Sequence, residues 1–232
     1  MEQIKDSLSG MTTLDDEQKT RNSVDKALDI LRIVAESDEG LTLSDVARSS
    51  MLPVTTVARH LKTLERAEFL FRGDSATYRP GRVLVQLGAQ TLSRYSLYEL
   101  AEKHLKAISE YTGETAYLAV ISGKREAVYL RQVESSRAIR HASWAGKTID
   151  TTGTAIGAAL ENDVGPRGFA CSRATRVEPD AAAVAAPIMN SSGEIVAAIS
   201  VIGPSFRLSE QDLQTYGVFI RKHVVELSKQ LI

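Results

Sequence analysis

No disulfide can form within this chain, because Cys171 is its only cysteine. A single thiol suits a reducing compartment. There is no stretch of eighteen apolar residues, so no transmembrane helix is expected. The first residues show no positive region followed by an apolar run, so no secretory signal is expected either. Together these point to the cytoplasm and to no membrane partner. Charge of one sign is also missing. Lys and Arg number 28, Asp and Glu 29, for a net charge of -1. That excludes a non-specific nucleic-acid coat, but not a local positive surface. Catalytic and metal signatures are scarce too. His60, His104, His141 and His223 have no HxxxH spacing, so no metal site is expected. No GxSxG elbow occurs, and Gly153-Thr154-Ala155-Ile156-Gly157 matches neither a Walker loop nor a dinucleotide fingerprint. Cys171 has Arg173 and Arg176 nearby in sequence, yet no paired His, and reads as an inert loop cysteine. The expectation is a non-enzyme without cofactors.

The 232 residues suffice for one large or two small domains, and 43% hydrophobic with 25% charged residues is an ordinary globular composition. Residues 41–66 carry the clearest pattern. Ser44 reads as the N-cap of a short helix, Met51 and Leu52 turn the chain, and Pro53 suits the first position of a second helix. Val54, Val57, Ala58, Leu61 and Leu64 then form one apolar stripe. Thr55, Thr56, Arg59, His60 and Lys62 fall on the other faces. Short hydroxyls at the helix start, with Arg and His a turn later, suit a helix entering a DNA major groove N-terminus first. Residues 68–72 and 76–79, around Gly73-Asp74-Ser75, read as a two-stranded ribbon. That makes the motif a winged helix, with Arg72 and Arg79 flanking the wing as backbone contacts. Residues 41–80 hold six Lys and Arg against four Asp and Glu, a modest surplus that argues for affinity built by a dimer.

Residues 1–20 are polar and read as a flexible tail. Ser23 is expected to cap a helix with Val24, Ala27, Leu28, Leu31 and Val34 on one side, ended near Gly40. After Pro80-Gly81, apolar residues recur along a helix to about Arg94, either a linker with a dimer contact or a capping helix. Another helix runs from Leu97 to about Tyr111, with His104 near its apolar stripe as a packing residue. The period then changes. Residues 115–121 and 126–133 read as a hairpin, 139–142 as a third strand, and 183–189 and 194–202 as a second hairpin. Residues 161–180 give no element. Ser209 caps a last helix. Antiparallel strands with helices on one face give an α+β class.

Asn22-Ser23-Val24-Asp25-Lys26-Ala27-Leu28-Asp29-Ile30-Leu31, Leu43-Ser44-Asp45-Val46-Ala47, residues 52–64 and Tyr78-Arg79-Pro80-Gly81 together resemble the opening helix, central helices and wing exit of the IclR-type bacterial transcriptional regulators. The resemblance covers about residues 21–232. It implies a winged helix-turn-helix DNA-binding domain over 21–80, a linker helix over 81–96, and a GAF-like effector-binding and oligomerisation domain over 97–232. The implied partners are a palindromic double-stranded DNA operator, a small organic acid effector, and further copies in a homodimer or homotetramer. Both repression and activation occur in regulators of this type. The loop and helix at Gly153, Thr154, Ala155 and Ile156 match the family's pocket loop, where helix-start N–H groups would hold a carboxylate. Ser200 matches a pocket serine. Ala183 stands where many members place a cysteine, and Ile202 where some carry a second serine. These departures make the pocket less polar, and Trp144 supplies a flat wall, so the reading leans to an aromatic or longer apolar acid. The segment between Leu160 and Ala183 is shorter than usual, which implies a more open pocket or lost effector binding. Arg137, Arg140 and Lys147 are carboxylate partners or solvated surface. The competing reading is a metabolite-binding or interaction module without specific DNA activity.

Overall fold

Asn22, not Ser23, starts the first helix. Its side chain accepts hydrogen bonds from the N–H groups of Val24 and Asp25, and the Asp25 carboxylate accepts one from the Asn22 N–H, closing a capping box. The computed structural model describes residues 22–73, 75–141 and 143–231; the expected tail over 1–20 lies outside them. The chain divides into two compact units, one ending at Thr91 and one beginning at Leu92.

In the first unit, α1 (Ser23–Ala35) is followed by β1 (Leu41–Thr42), α2 (Leu43–Ser50), α3 (Val54–Arg66), β2 (Leu70–Arg72) and β3 (Thr77–Pro80). The short strands form one antiparallel sheet in the order β1-β3-β2. Ile30 and Val34 of α1, Val46 of α2, and Val57, Leu61 and Leu64 of α3 meet Leu70 and Tyr78 in one core. Thr42 caps α2 in place of Ser44, again with a capping box, formed with Asp45. The reason is that Leu43 is already helical and Thr42 still extended, so only Thr42 can turn its hydroxyl onto the third N–H. Met51 ends α2 in the left-handed region, at φ 55°. Pro53 stands one place outside α3, as its N-cap. Gly40 takes φ +81°, where a Cβ would press on Tyr78 and Arg79. The α4 helix (Arg82–Arg94) follows the wing.

The second unit opens with α5 (Ser96–Thr112). Then come β4 (Thr115–Gly123), β5 (Glu126–Val133), β6 (Thr148–Asp150), α6 (Ala155–Leu160), β7 (Ala170–Arg173), β8 (Ala181–Met189), β9 (Ile195–Pro204) and α7 (Glu210–Ser228). The six strands make one antiparallel sheet in the order β6-β5-β4-β9-β8-β7. Two expectations fail here. Residues 139–141 contribute no strand, and Ala142 lies outside the described residues; the strand beside β5 is β6. Residues 161–180 do contain one, β7, pairing Ala170–Arg173 with Ala185–Ala182.

The central strands are apolar at both parities, so both faces of the sheet are covered and the helices are not confined to one. Leu118, Val184, Ile188, Ile199 and Val201 face α5 and α7. Tyr117, Ala119, Ala183, Ala185, Ala198 and Ile202 face α6. The second face is built of small side chains, which lets a helix of Ala and Gly sit close. Gly157 lies so near Thr151 that a Cβ would meet its carbonyl oxygen at 2.1 Å. On the first face, Gly217 of α7 makes room for the Phe169 ring, 2.3 Å from where its Cβ would stand.

Candidate DNA-reading face and effector pocket

The α3 helix begins without any side-chain cap, so its first N–H groups are left for an outside acceptor. Thr55 is exposed there and Thr56 half-buried. One turn on, Arg59 and Lys62 are exposed, and Thr55, Arg59, Lys62 and Arg66 follow each other at helical spacing on one face. Ser44 is exposed on α2. At the wing, Arg72 lies 5.8 Å from the centre of the Tyr78 ring, and Arg79 donates to the Glu39 carbonyl at 2.7 Å.

His60 does not belong with them. It is 5% exposed, and its Nε2 has no hydrogen-bond partner. Position 60 lies between Val57 and Leu64 on the core side of α3, which its polarity concealed. Burial pushes its pKa below the ordinary value of 6.5, and Arg59 and Lys26 push the same way. A buried neutral imidazole cannot reach DNA, so His60 is removed from the reading face.

The second set of expected residues largely converges. A cavity under α6 is lined by Thr154, Ala155, Ile156, Ala183, Ser200 and Ile202. Gly153 and Trp144 are not in the lining. Gly153 is exposed at φ +72°, and Trp144 packs near Tyr129, at 6.1 Å between ring centres. Sequence reasoning missed the other wall: Tyr129, Ile149, Ser172, Thr175, Val177 and Glu178. Ser200 is buried, and the Tyr129 phenol is the polar neighbour of its hydroxyl.

This cavity is nearly closed. Its free volume is about 10 Å³, room for one water at most. The helix-start N–H groups expected to hold a carboxylate are occupied from within. The Ala155 N–H donates to the Ser172 hydroxyl at 3.0 Å, and the Gly157 N–H to Thr154 Oγ1 at 3.0 Å. Among the described residues the only charged side chain in the lining is acidic, Glu178. It pairs with His141 Nε2, while His141 Nδ1 lies 2.5 Å from the Tyr117 hydroxyl. Burial pushes the Tyr117 and Tyr129 phenols well above their ordinary range, and the Glu178 charge adds to it.

The expected cationic partners are elsewhere. Arg137 donates to Glu114 at 3.0 Å, together with Arg207, which grips the same fully buried carboxylate through two bonds of 2.7 and 2.8 Å. Arg140 pairs with Glu134 at 3.2 Å, and Lys147 is exposed. The Cys171 thiol is half-buried, and burial followed by Glu210 raises its pKa, away from a reactive thiolate.

A winged helix followed by a ligand-pocket domain is the plan of a DNA-binding regulator that answers to a small molecule. Family comparison agrees. The IclR helix-turn-helix domain model matches residues 23–72, and the model described as bacterial transcriptional regulator IclR C-terminal matches residues 89–163 and 162–229. The chain belongs to the IclR family, whose members are transcriptional regulators and not enzymes. It is 31% identical over 243 residues to the HTH-type transcriptional regulator BhcR of Paracoccus denitrificans, covering 89% of this chain and 86% of that one. It is 24% identical to the HTH-type transcriptional repressor AllR of Escherichia coli, over 92% of each. The fold matches an IclR regulator of Alicyclobacillus acidocaldarius with a TM-score of 0.76 at 21% identity, covering 89% of this chain and 97% of that one. It also matches an IclR homolog of Microbacterium hydrocarbonoxydans complexed with 4-hydroxybenzoate, with a TM-score of 0.73 at 20% identity and coverage of 90% and 99%. The effector-domain match falls in two pieces that meet at residues 162–163, within the segment read as shortened. Among the described residues, no helix is long and apolar enough to cross a membrane.

Proposed function

We propose that this protein is a one-component cytoplasmic regulator that binds a palindromic or pseudo-palindromic operator as a homodimer or homotetramer. Residues 21–80 read DNA, 81–96 link and contact a second copy, and 97–232 take a small organic acid, aromatic or apolar in body. The carrying observation is the exposed face of α3, where Thr55, Arg59 and Lys62 follow an uncapped helix start. Ser44, Thr56, Arg72 and Arg79 contribute phosphate contacts around it. Repression is the sign we favour, as in the relatives named AllR.

The pocket reading rests on Thr154, Ala155, Ile156, Ala183, Ser200 and Ile202 sharing one buried cavity with Tyr129. An acid entering it has to displace the Ser172 hydroxyl from the Ala155 N–H and move Glu178 aside. Such a ligand changes operator affinity only by its different affinity for two arrangements of the protein.

Selection of bound fragments from sheared bacterial genomic DNA, followed by footprinting, tests the reading. A protected inverted repeat is expected. If the folded protein enriches nothing, the DNA reading fails, and a metabolite-binding or interaction module takes its place.

A further inference from the structure

Away from the effector cavity, on the other face of the sheet, α5 and α7 bring two histidines together that lie 119 residues apart. His104 Nδ1 and His223 Nδ1 are 3.0 Å apart. Glu226, one helical turn beyond His223, places a carboxylate oxygen so that all three donor atoms lie within 4.8 Å of one another. His104 is 4% exposed, His223 half-buried and Glu226 exposed. We propose that His104, His223 and Glu226 form a binding site for a divalent transition-metal ion of the zinc class, joining α5 to α7.

The geometry suits such an ion. Two nitrogens each bound to zinc at about 2.0–2.1 Å stand roughly 3.3 Å apart at a tetrahedral angle, close to the spacing already present. Two imidazoles and a carboxylate are a donor set that favours zinc, nickel or cobalt over calcium or magnesium. Three protein ligands leave a fourth position for water, on the side where Glu226 meets solvent. His223 is fixed by more than its neighbour, since its ring packs on Phe219 at 4.7 Å, and Phe219 stacks on Tyr111 at 4.0 Å. His104 Nε2 is buried without a partner. In the paired histidines it is an unused polar atom, and in a metal-bound site it remains one, so loading adds no new buried cost there. Lys103 acts on His104 and Lys222 on His223 as neighbouring positive charges; Lys103 reaches Gln230 at 3.4 Å, and Glu226 supplies the opposing charge.

Calorimetric titration of the metal-free full chain with zinc chloride tests the site, alongside cobalt(II) absorption in the visible. Wild type is expected to bind one ion per protomer, to show the intense bands of a low-coordinate cobalt site, and to melt at higher temperature in zinc than in EDTA. His223→Ala is expected to weaken binding at least a hundredfold, and Glu226→Gln at least tenfold. Glu226 is exposed, so its variant reads the site without disturbing the fold. His141→Gln, which alters the only other histidine–glutamate pair described, is expected to bind zinc as wild type does. No binding at 100 μM free zinc would overturn the proposal. So would binding that survives both His223→Ala and Glu226→Gln, or that disappears in His141→Gln.

Discussion

Arg59 and His60 are adjacent in sequence and opposite in role, because a rotation of 100° separates a solvent face from a core. Arg59→Ala is expected to cost roughly 1–3 kcal/mol of operator binding, the usual worth of a bidentate base contact. Fluorescence anisotropy on the selected operator and on random DNA checks this; equal losses on both would make Arg59 a phosphate contact. His60→Leu is expected to leave operator affinity within about twofold and to raise stability by about 1 kcal/mol, since an imidazole with an unsatisfied buried nitrogen gives way to an apolar side chain. Lost operator binding by a folded His60→Leu protein would return His60 to the reading face. The same burial makes stability depend on pH. His60, His104 and His223 have folded pKa values below 6.5, led in each case by desolvation. As pH falls through 6.5 the unfolded chain takes up protons that the folded chain refuses, so stability is lost downward from there. The cap carboxylates Asp45 and Asp212, held low by hydrogen bonds from Thr42 and Ser209, stay ionised across this window. The urea midpoint is therefore expected to be lower at pH 5.5 than at pH 7.5. A midpoint unchanged between them would show that these imidazoles are not held neutral.

Elements with a long repeating pattern could be read from sequence, and elements made by pairing could not. The apolar stripes of α1, α3, α5 and α7 and the alternation in β4 and β5 stand in single segments of eight or more residues. By contrast, β6 has three residues and exists because Thr148–Asp150 pairs with Val128–Glu126. Ile139–Ala142 looked more strand-like, but Arg207 bonds the Ile139 carbonyl instead of a neighbouring strand doing so. The pocket divides the same way. Thr154, Ala155 and Ile156 are consecutive and were visible together, while Ser172 and Glu178 arrive from β7 and the loop after it, whose sequence is polar and without period. That loop has a testable consequence. Glu178→Ala removes the one charged side chain that the described residues place in the cavity lining, and with it the partner of His141 Nε2. Affinity for 4-hydroxybenzoate, used as a probe acid, is expected to rise at least tenfold over wild type in calorimetry. If wild type already binds as well as Glu178→Ala, Glu178 is not what closes the pocket.

For the whole molecule, α4 carries the argument. A 13-residue helix is marginal alone in water and gains its stability from packing. Yet among the described residues of α4 none is buried, and Val85 and Leu87 are 64% and 46% exposed. Val85 and Leu87 stand two residues apart, on opposite sides of the helix, so they leave apolar surface open on both sides, and such surface is what a second copy would cover. The charge balance points the same way, since six cations against four anions over residues 41–80 give one unit little affinity of its own. Two units held together add their binding free energies on one DNA molecule. Val85→Asp combined with Leu87→Asp is therefore expected to yield monomers in sedimentation experiments, with a circular dichroism spectrum like wild type. The same variant is expected to bind the full operator no better than a single half-site. Operator geometry should follow protein symmetry. Half-sites one helical turn apart, about 10 base pairs, would face the same side of the duplex. Inserting five base pairs between them would turn one half-site to the far side and lower wild-type affinity at least tenfold, while leaving the monomeric variant indifferent. If the insertion affects both equally, or the variant stays dimeric, α4 is not the contact and its exposed apolar side chains need another occupant.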